Sequence, residues 1–577
     1  MKRTLTPLRH TSRRLAVLLA AAFLVLHLVV LLSSISEKSA TVDEFVHVPA
    51  GCWYWKSGDF TVSGLNPPLL KLWCALPVMG MKPKLPIAAD AADRDARYPW
   101  LFGRLFLFKN WDHYDAMLTR ARLAVMLLSL AGGVVLYLWT RRTFGTAVAL
   151  LALGLFAVEP NVVAHGRLAT QDTGMMLTFL LTLLFLDGLI MRGGWWRAVL
   201  VGISLGLASL VKFSGLVVAL VPPVVFLVWI VFVRDVRFNL RVPGQGWFHP
   251  GRRRASFQAL VLLLVIGVVA LLFVNLPYRF AGCCRRLDAD EAKSARMKQL
   301  AGSALGRVPM PLPRDYLAGL DKQQLSVERG ETVNYLNGRW SETGWWTYYL
   351  EAFLLKVPVP VLVLTALGVV SVFVVRPPRS AAPWVMLVAG VLFWAAHSFG
   401  SNKNIGFRYV LPVLPLVLVL GARSLLLLDA ASPRIRKVLL VVIVLLTAWT
   451  AVESGRIHPH YLAYFNQIAG GPSHGGRFLL DSNIDWGQDL KGLAAYLKRE
   501  EVTGPVYLGY FGHVDPALYG IKARRPYPGV RGLVAVSLNY VRGMRYAYPQ
   551  SYFDWLKTHE PVAVIGHTIY VYRTDLE

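Results

Sequence analysis

Residues 15–32 read LAVLLAAAFLVLHLVVLL, a run without a single Asp, Glu, Lys or Arg. A helix of this length reaches close to the roughly 30 Å of a bilayer's hydrocarbon core, which few soluble cores require. Lys2, Arg3, Arg9, Arg13 and Arg14 precede it, as in a signal peptide. No small-residue cleavage site follows, so the run is expected to stay as a first spanning helix with its N-terminus in the cytoplasm.

Working outward, comparable apolar runs lie near 117–139, 144–158, 173–191, 197–211, 214–233, 256–276, 351–375, 383–397, 407–428 and 436–452. With the first run these predict an α-helical polytopic membrane protein of about 11 transmembrane helices. Composition points the same way. Of 577 residues 55% are hydrophobic and only 16% charged, with a mean hydropathy of +0.46. An ordinary soluble domain carries about 25% charged residues.

Charge then orients the chain. Arg141 and Arg142; Arg192 and Arg197; Arg234, Arg237, Arg241 and Arg252 to Arg254; Arg376 and Arg379; and Arg434, Arg436 and Lys437 fall in alternate short connections. The positive-inside rule makes these cytoplasmic. The opposite connections, 33–116 and 277–350, are long, mixed in charge and rich in Trp, Tyr and Pro, and are expected to be extracytoplasmic. The net charge of +27 is therefore topological. No basic patch with interleaved aromatics suggests a nucleic acid, and none is expected as a partner.

The organisation expected is a transmembrane module over 1–452 and a small extracytoplasmic α/β or α+β domain over 453–577. In the latter, 506–511, 533–538 and 562–565 read as buried strands, and 489–500 and 552–559 as amphipathic helices. Cys52, Cys74, Cys283 and Cys284 lack metal-site spacing. Cys52 and Cys74 can form a disulfide within the first loop, the Cys283–Cys284 pair can bond elsewhere, or all four can remain free thiols.

Several polar groups collect at the outer ends of the apolar runs. In Thr41-Val42-Asp43-Glu44-Phe45-Val46-His47, helical spacing brings Asp43, Glu44 and His47 towards one face. Such a set suits general-base work or a divalent metal, and equally a helix N-terminus that favours acidic residues. Asp172 opens the 173–191 run, where an N-cap is the simpler reading. Lys212 follows one apolar run and Arg408 opens another. Each can clamp a phosphate or merely snorkel to the interface. His458-Pro459-His460 is a weak metal signal. No P-loop, dinucleotide fingerprint, HExxH or GxSxG is present.

In order along the chain stand Asp43-Glu44 with His47, Trp55 with Gly58-Asp59-Phe60, and Asn66-Pro67-Pro68-Leu69-Leu70-Lys71. Arg167 to Asp172, Gly344-Trp345-Trp346 with Lys356-Val357-Pro358, and Asn404-Ile405-Gly406-Phe407-Arg408-Tyr409 follow. The series ends with His460-Tyr461-Leu462-Ala463-Tyr464-Phe465-Asn466 and Asp481-Ser482-Asn483-Ile484-Asp485-Trp486-Gly487-Gln488-Asp489. Together these resemble the GT-C superfamily of polytopic glycosyltransferases, in its bacterial family 39-like branch. That branch is related to the protein O-mannosyltransferases and the lipid A aminoarabinose transferase.

The resemblance implies transfer of a hexosyl or pentosyl group from a polyprenyl-phosphate donor to a protein, lipid or polysaccharide acceptor on the outer face of a bacterial inner membrane. It implies Asp43 as the catalytic general base, supported by Glu44 and Asp172. Lys212 and Arg408 would hold the donor phosphate, with Lys71 and Arg167 as further candidates. Relatives often carry an acidic residue or His just before the Pro-Pro pair; here Leu65-Asn66 stands there.

A lipid phosphate is already a good leaving group. The chemistry then needs a base for the acceptor and cations for the phosphate, with no obligatory cofactor or metal, though a divalent ion could serve. A single carboxylate acting opposite the phosphate would invert the anomeric centre. Two other readings stay open, a transporter or lipid flippase and a scaffold that binds envelope polymers. Transporters usually show repeat symmetry and polar groups near the midplane. Neither feature is evident here.

Overall fold

The computed structural model describes residues 12–86, 98–232, 252–331, 333–375 and 380–575. Among these, eight helices are long and apolar enough to cross a membrane: Arg13–Ser33, Trp111–Phe144, Asp172–Arg192, Gly215–Phe232, Ala255–Asn275, Ala382–Phe399, Leu411–Ala430 and Pro433–Ile457. Two bent pairs bring the number to ten if each is one span. The chain is an integral, multi-pass membrane protein. The expected count of eleven also included Trp195–Val211, a shorter apolar helix of 17 residues. Of the basic connections, Arg234, Arg237, Arg241, Arg376 and Arg379 lie outside the described residues.

The bends have local causes. The run expected as one span over 351–375 is two helices, Tyr348–Lys356 and Val359–Val374, set at 111°. Pro358 cannot donate an intrahelical hydrogen bond and turns the residue before it away from helix. The carbonyls exposed at the break are satisfied, because Asn466 Nδ2 donates to Leu354 O (2.6 Å) and Val357 O (2.7 Å). Thr146–Val158 and Pro160–Gly166 meet at 62°. Their junction is Glu159, whose side chain caps the second helix at Val162 N.

Small residues set how closely the helices approach. Gly202 and Gly206 lie one turn apart on Trp195–Val211, and a Cβ there would fall 2.8 Å from Ile266 O and 2.9 Å from Ala270 O. That is a backbone-to-backbone contact of the kind that holds helices together in lipid, where apolar side chains gain little from leaving one another's company.

Two helices of the first loop, Val42–Ser57 and Leu69–Met79, pack beside this bundle. Val42–Ser57 is started by Thr41 and ended by Gly58 at φ 71°. It crosses Leu69–Met79 at Gly51, where a Cβ would lie 2.0 Å from Lys71 O.

The second long loop contributes a hairpin, β1 (Asn334–Leu336) and β2 (Arg339–Ser341). The last part of the chain forms a five-stranded sheet of β3 (Val506–Gly509), β4 (Ala523–Arg524), β5 (Leu533–Ser537), β6 (Ala563–Ile565) and β7 (Ile569–Arg573). Its order is β4-β3-β5-β7-β6, parallel across the first three and antiparallel across the last three. The amphipathic helix Leu490–Arg499 lies within two residues of its expected bounds. In 552–559 only a short 3-10 turn forms, Asp554–Thr558, in a stretch crowded by the aromatic contacts of Tyr552 and Phe553. All four cysteines are free, so the Cys52–Cys74 disulfide does not form here.

The sheet region is tied to the beginning of the chain. Ser39 N donates to Gln488 O (2.9 Å) and Val42 N to Trp486 O (3.0 Å). Phe45, Tyr114, Leu490 and Leu508 share one apolar cluster across this joint. Asp43 therefore sits where the first loop, the helix ends and the 481–489 segment meet.

Candidate active site

At the start of Val42–Ser57 two neighbouring carboxylates take opposite directions. Glu44 is fully buried and serves the capping box with Thr41. Its oxygens accept from Arg122 Nε and Nη2 (both 2.8 Å), Thr41 N (2.9 Å) and Ala169 N (2.9 Å). Burial disfavours its charge, but Arg122 overcomes this and holds the carboxyl below its ordinary pKa. Arg122 also donates to Lys38 O (2.9 Å) and Ser39 O (2.8 Å). The pair thus clamps the segment that carries Asp43.

Asp43 points the other way and keeps 22% of its side chain exposed. Its Oδ2 accepts from Arg408 Nη1 at 2.7 Å. The same guanidinium nitrogen lies 3.8 Å from Asp172 Oδ2, and Lys212 Nζ pairs with Asp172 Oδ1 at 3.0 Å. Four residues from four separate parts of the sequence thus form one chain of alternating charge: Asp43, Arg408, Asp172 and Lys212.

Burial works against the Arg408 charge, but Asp43 and Asp172 outweigh it and raise its pKa. For Lys212 burial prevails, and the ammonium sits below its ordinary value despite Asp172. Aromatic faces back both cations, Trp486 at 4.2 Å from Arg408 and Tyr409 at 4.1 Å from Lys212.

The backbone approach at Gly406 seats Arg408. Ser482 Oγ donates to Ile405 O (2.6 Å) and accepts from Arg408 Nε (3.1 Å). A Cβ on Gly406 would fall 2.2 Å from that oxygen. Gly406→Ala should therefore displace Ser482 and cost about 1–3 kcal/mol, the usual range for overpacking. Thermal unfolding of the purified protein checks this, and an unchanged midpoint would mean that the contact gives way freely.

The other residues singled out from sequence lie elsewhere. Lys71 is fully buried and donates to Ser63 O and to Asn66 O (2.8 Å), with burial pulling its pKa down to about 7. It holds the turn before Pro67-Pro68. Arg167 donates to Ser34 O and Pro459 O (3.0 Å), and burial lowers its pKa to about 10. Both cations spend their hydrogen bonds on backbone carbonyls. His47 is buried against Gln171 Nε2 (3.1 Å), and burial lowers its pKa to about 4, so it is neutral at physiological pH. His460 contacts Lys38 (2.5 Å), and Lys38 in turn pairs with Asp489.

Arg122, Ser482 and Trp486 were assigned no role from sequence. The sequence carries a signal for Arg122: it stands with Arg120 in the apolar 117–139 run, where a charge demands a partner. Among the described residues no group of three or more His, Cys, Asp or Glu is placed to hold a metal. The charge between the two carboxylates is a guanidinium.

Residues 114–243 match the family described as dolichyl-phosphate-mannose-protein mannosyltransferase, a stretch that carries Arg122, Arg167, Asp172 and Lys212.

Solved structures are similar to the chain at low identity. ArnT from Cupriavidus metallidurans bound to undecaprenyl phosphate has 15% identity and a TM-score of 0.48, over 98% of both chains. The Archaeoglobus fulgidus oligosaccharyltransferase in the apo form has 13% identity and a TM-score of 0.46, over 77% of this chain and 56% of that one. The Saccharomyces cerevisiae Pmt1-Pmt2 complex bound to the sugar donor has 18% identity and a TM-score of 0.28, over 47% and 35%. No curated protein matches the chain.

Proposed function

We propose that the protein transfers a sugar from a polyprenyl-phosphate donor to an acceptor at the extracytoplasmic face of a bacterial inner membrane. The observation that carries this reading is the Asp43–Arg408–Asp172–Lys212 chain of charge, in which the most accessible carboxylate touches a cation suited to phosphate. The match of residues 114–243 to a lipid-phosphate-sugar transferase family supports it. The sidedness rests on the arginines of the alternate short connections.

In this reading Arg408 and Lys212 take the donor phosphate, and Asp43 takes the proton of the acceptor hydroxyl or amine. The acceptor atom bonds to the anomeric carbon as the carbon–oxygen bond to phosphate breaks, leaving polyprenyl phosphate. Attack from the side away from the phosphate inverts the anomeric centre. The two cations supply the charge for the departing phosphate, so no metal is required. Asp172 keeps both cations aimed, and Glu44 with Arg122 fixes the helix that presents Asp43.

The resting ion pair adds a sequence of events. While Arg408 holds Asp43, the base is masked. The anionic phosphodiester of the donor competes for Arg408 and unmasks it, so the donor binds first.

The direct test is incubation of the purified protein with a panel of polyprenyl-phosphate sugars and acceptors, following release of the lipid phosphate by mass spectrometry. Release with at least one donor is expected; none with any donor would overturn the proposal. Lys212→Ala should raise the donor KM about 10- to 100-fold, the worth of one charge-assisted hydrogen bond, and leave the acceptor KM in place. An unchanged donor KM would remove Lys212 from the phosphate site.

A further inference from the structure

Beyond the last residue of Arg252–Asn275 the chain makes an unusually tight turn. Arg279 (φ 52°), Phe280 (φ 59°), Gly282 (φ 69°) and Cys284 (φ 62°) are all left-handed, and only one of them is glycine. For residues with a Cβ this conformation is costly and is kept only where surrounding contacts enforce it. Those contacts are present. Cys284 N donates to Met310 O (2.8 Å), Met310 N to Arg285 O (2.9 Å), and Arg314 N to Ala281 O (3.1 Å). Asn275 Nδ2 adds a bond to Pro311 O (2.9 Å).

The turn presents two adjacent thiols. Cys283 Sγ and Cys284 Sγ lie 3.5 Å apart, with Cys284 exposed and Cys283 partly so. Cys52 and Cys74 are buried in the first loop, so neither offers an accessible partner. Arg279, Arg285 and Arg286 flank the pair in sequence, and disulfide exchange starts when one of the two thiols gives up its proton.

We propose that Cys283 and Cys284 form a vicinal dithiol, a modification site that closes to an intramolecular disulfide by exchange with a small-molecule disulfide. One thiolate attacks the incoming disulfide, forming a mixed disulfide and releasing one thiol. The neighbouring cysteine then displaces the second thiol and closes the ring. The two cysteines are oxidised together and the reagent is reduced to two thiols, with both protons passing to the products. The same pair spans a trivalent arsenical, a ligand that needs two thiols at close range. The proposal does not depend on the transferase reading, because neither readout uses sugar transfer.

The test uses the full chain in membranes. It is treated with oxidised glutathione, denatured, alkylated and analysed by peptide mass spectrometry. The peptide containing Cys283 and Cys284 should be two hydrogens lighter and unalkylated, and should return to two alkylated cysteines after reduction. Capture on an immobilised phenylarsine oxide resin should be strong for the native protein and lost with Cys283→Ser or Cys284→Ser alone. Stable glutathione adducts on both cysteines, disulfide-linked pairs of chains, or equal capture of the single-Ser variants would each overturn the proposal.

Discussion

Asp43→Asn is expected to cut sugar transfer about 100- to 10,000-fold, the usual contribution of a positioned general base. The substitution keeps the shape and removes only basicity and charge. Arg408 would lose its 2.7 Å partner but keep Asp172 at 3.8 Å and Ser482 at 3.1 Å, so the fold should survive. Donor binding should hold or tighten, because the neutral amide does not compete with phosphate for the guanidinium as the carboxylate does. Initial rates with saturating donor, measured beside equilibrium donor binding, separate the two effects. Near-normal turnover would show that another group takes the proton.

Glu44→Gln, one position along, should have the opposite profile. It removes the charge from a bidentate pair buried against Arg122 and leaves that guanidinium uncompensated. Breaking a buried pair on one side costs about 3–5 kcal/mol. The variant should melt early in detergent or fail to accumulate, and Arg122→Ala should behave alike. The sign with pH follows from the lowered pKa of Glu44. Its contribution is present above the ordinary value of 4.5 and is lost as pH falls through the folded value. A Glu44→Gln protein that melts like the parent yet transfers nothing would instead put Glu44 in the chemistry.

These two neighbours show how far sequence carries. The Asp43-Glu44 pair was visible in the sequence, along with a choice between an active carboxylate and a helix N-terminus. The structure buries Glu44 as the helix-start carboxylate and leaves Asp43 partly exposed, and the division depends on Arg122, 78 positions from Glu44, whose choice of partner no local pattern predicts. The spans were legible because lipid demands long apolar runs. Their breaks were less so, since Pro358 shows where a helix must stop but not that Asn466 will satisfy the loose carbonyls.

Lys71 and Arg167 illustrate the converse. A cation at the end of an apolar run looks the same in sequence whether it faces a ligand or ties down a loop. Both of these are committed to carbonyls, a distinction that appears only in three dimensions. The arrangement of Asp172, Lys212 and Arg408 around one point depends on long-range packing in the same way.

The joint between the first loop and the 481–489 segment also has a consequence for how the protein is made. Lys38 pairs with Asp489, 451 residues later, beside the strand-like contacts of Ser39 and Val42. At about 5–20 residues per second, a ribosome needs roughly 20 to 90 s to cover that distance. Throughout that interval the helix that carries Asp43 lacks the chain segment that seats it. The surroundings of Asp43 are therefore completed only after residue 489 has been made.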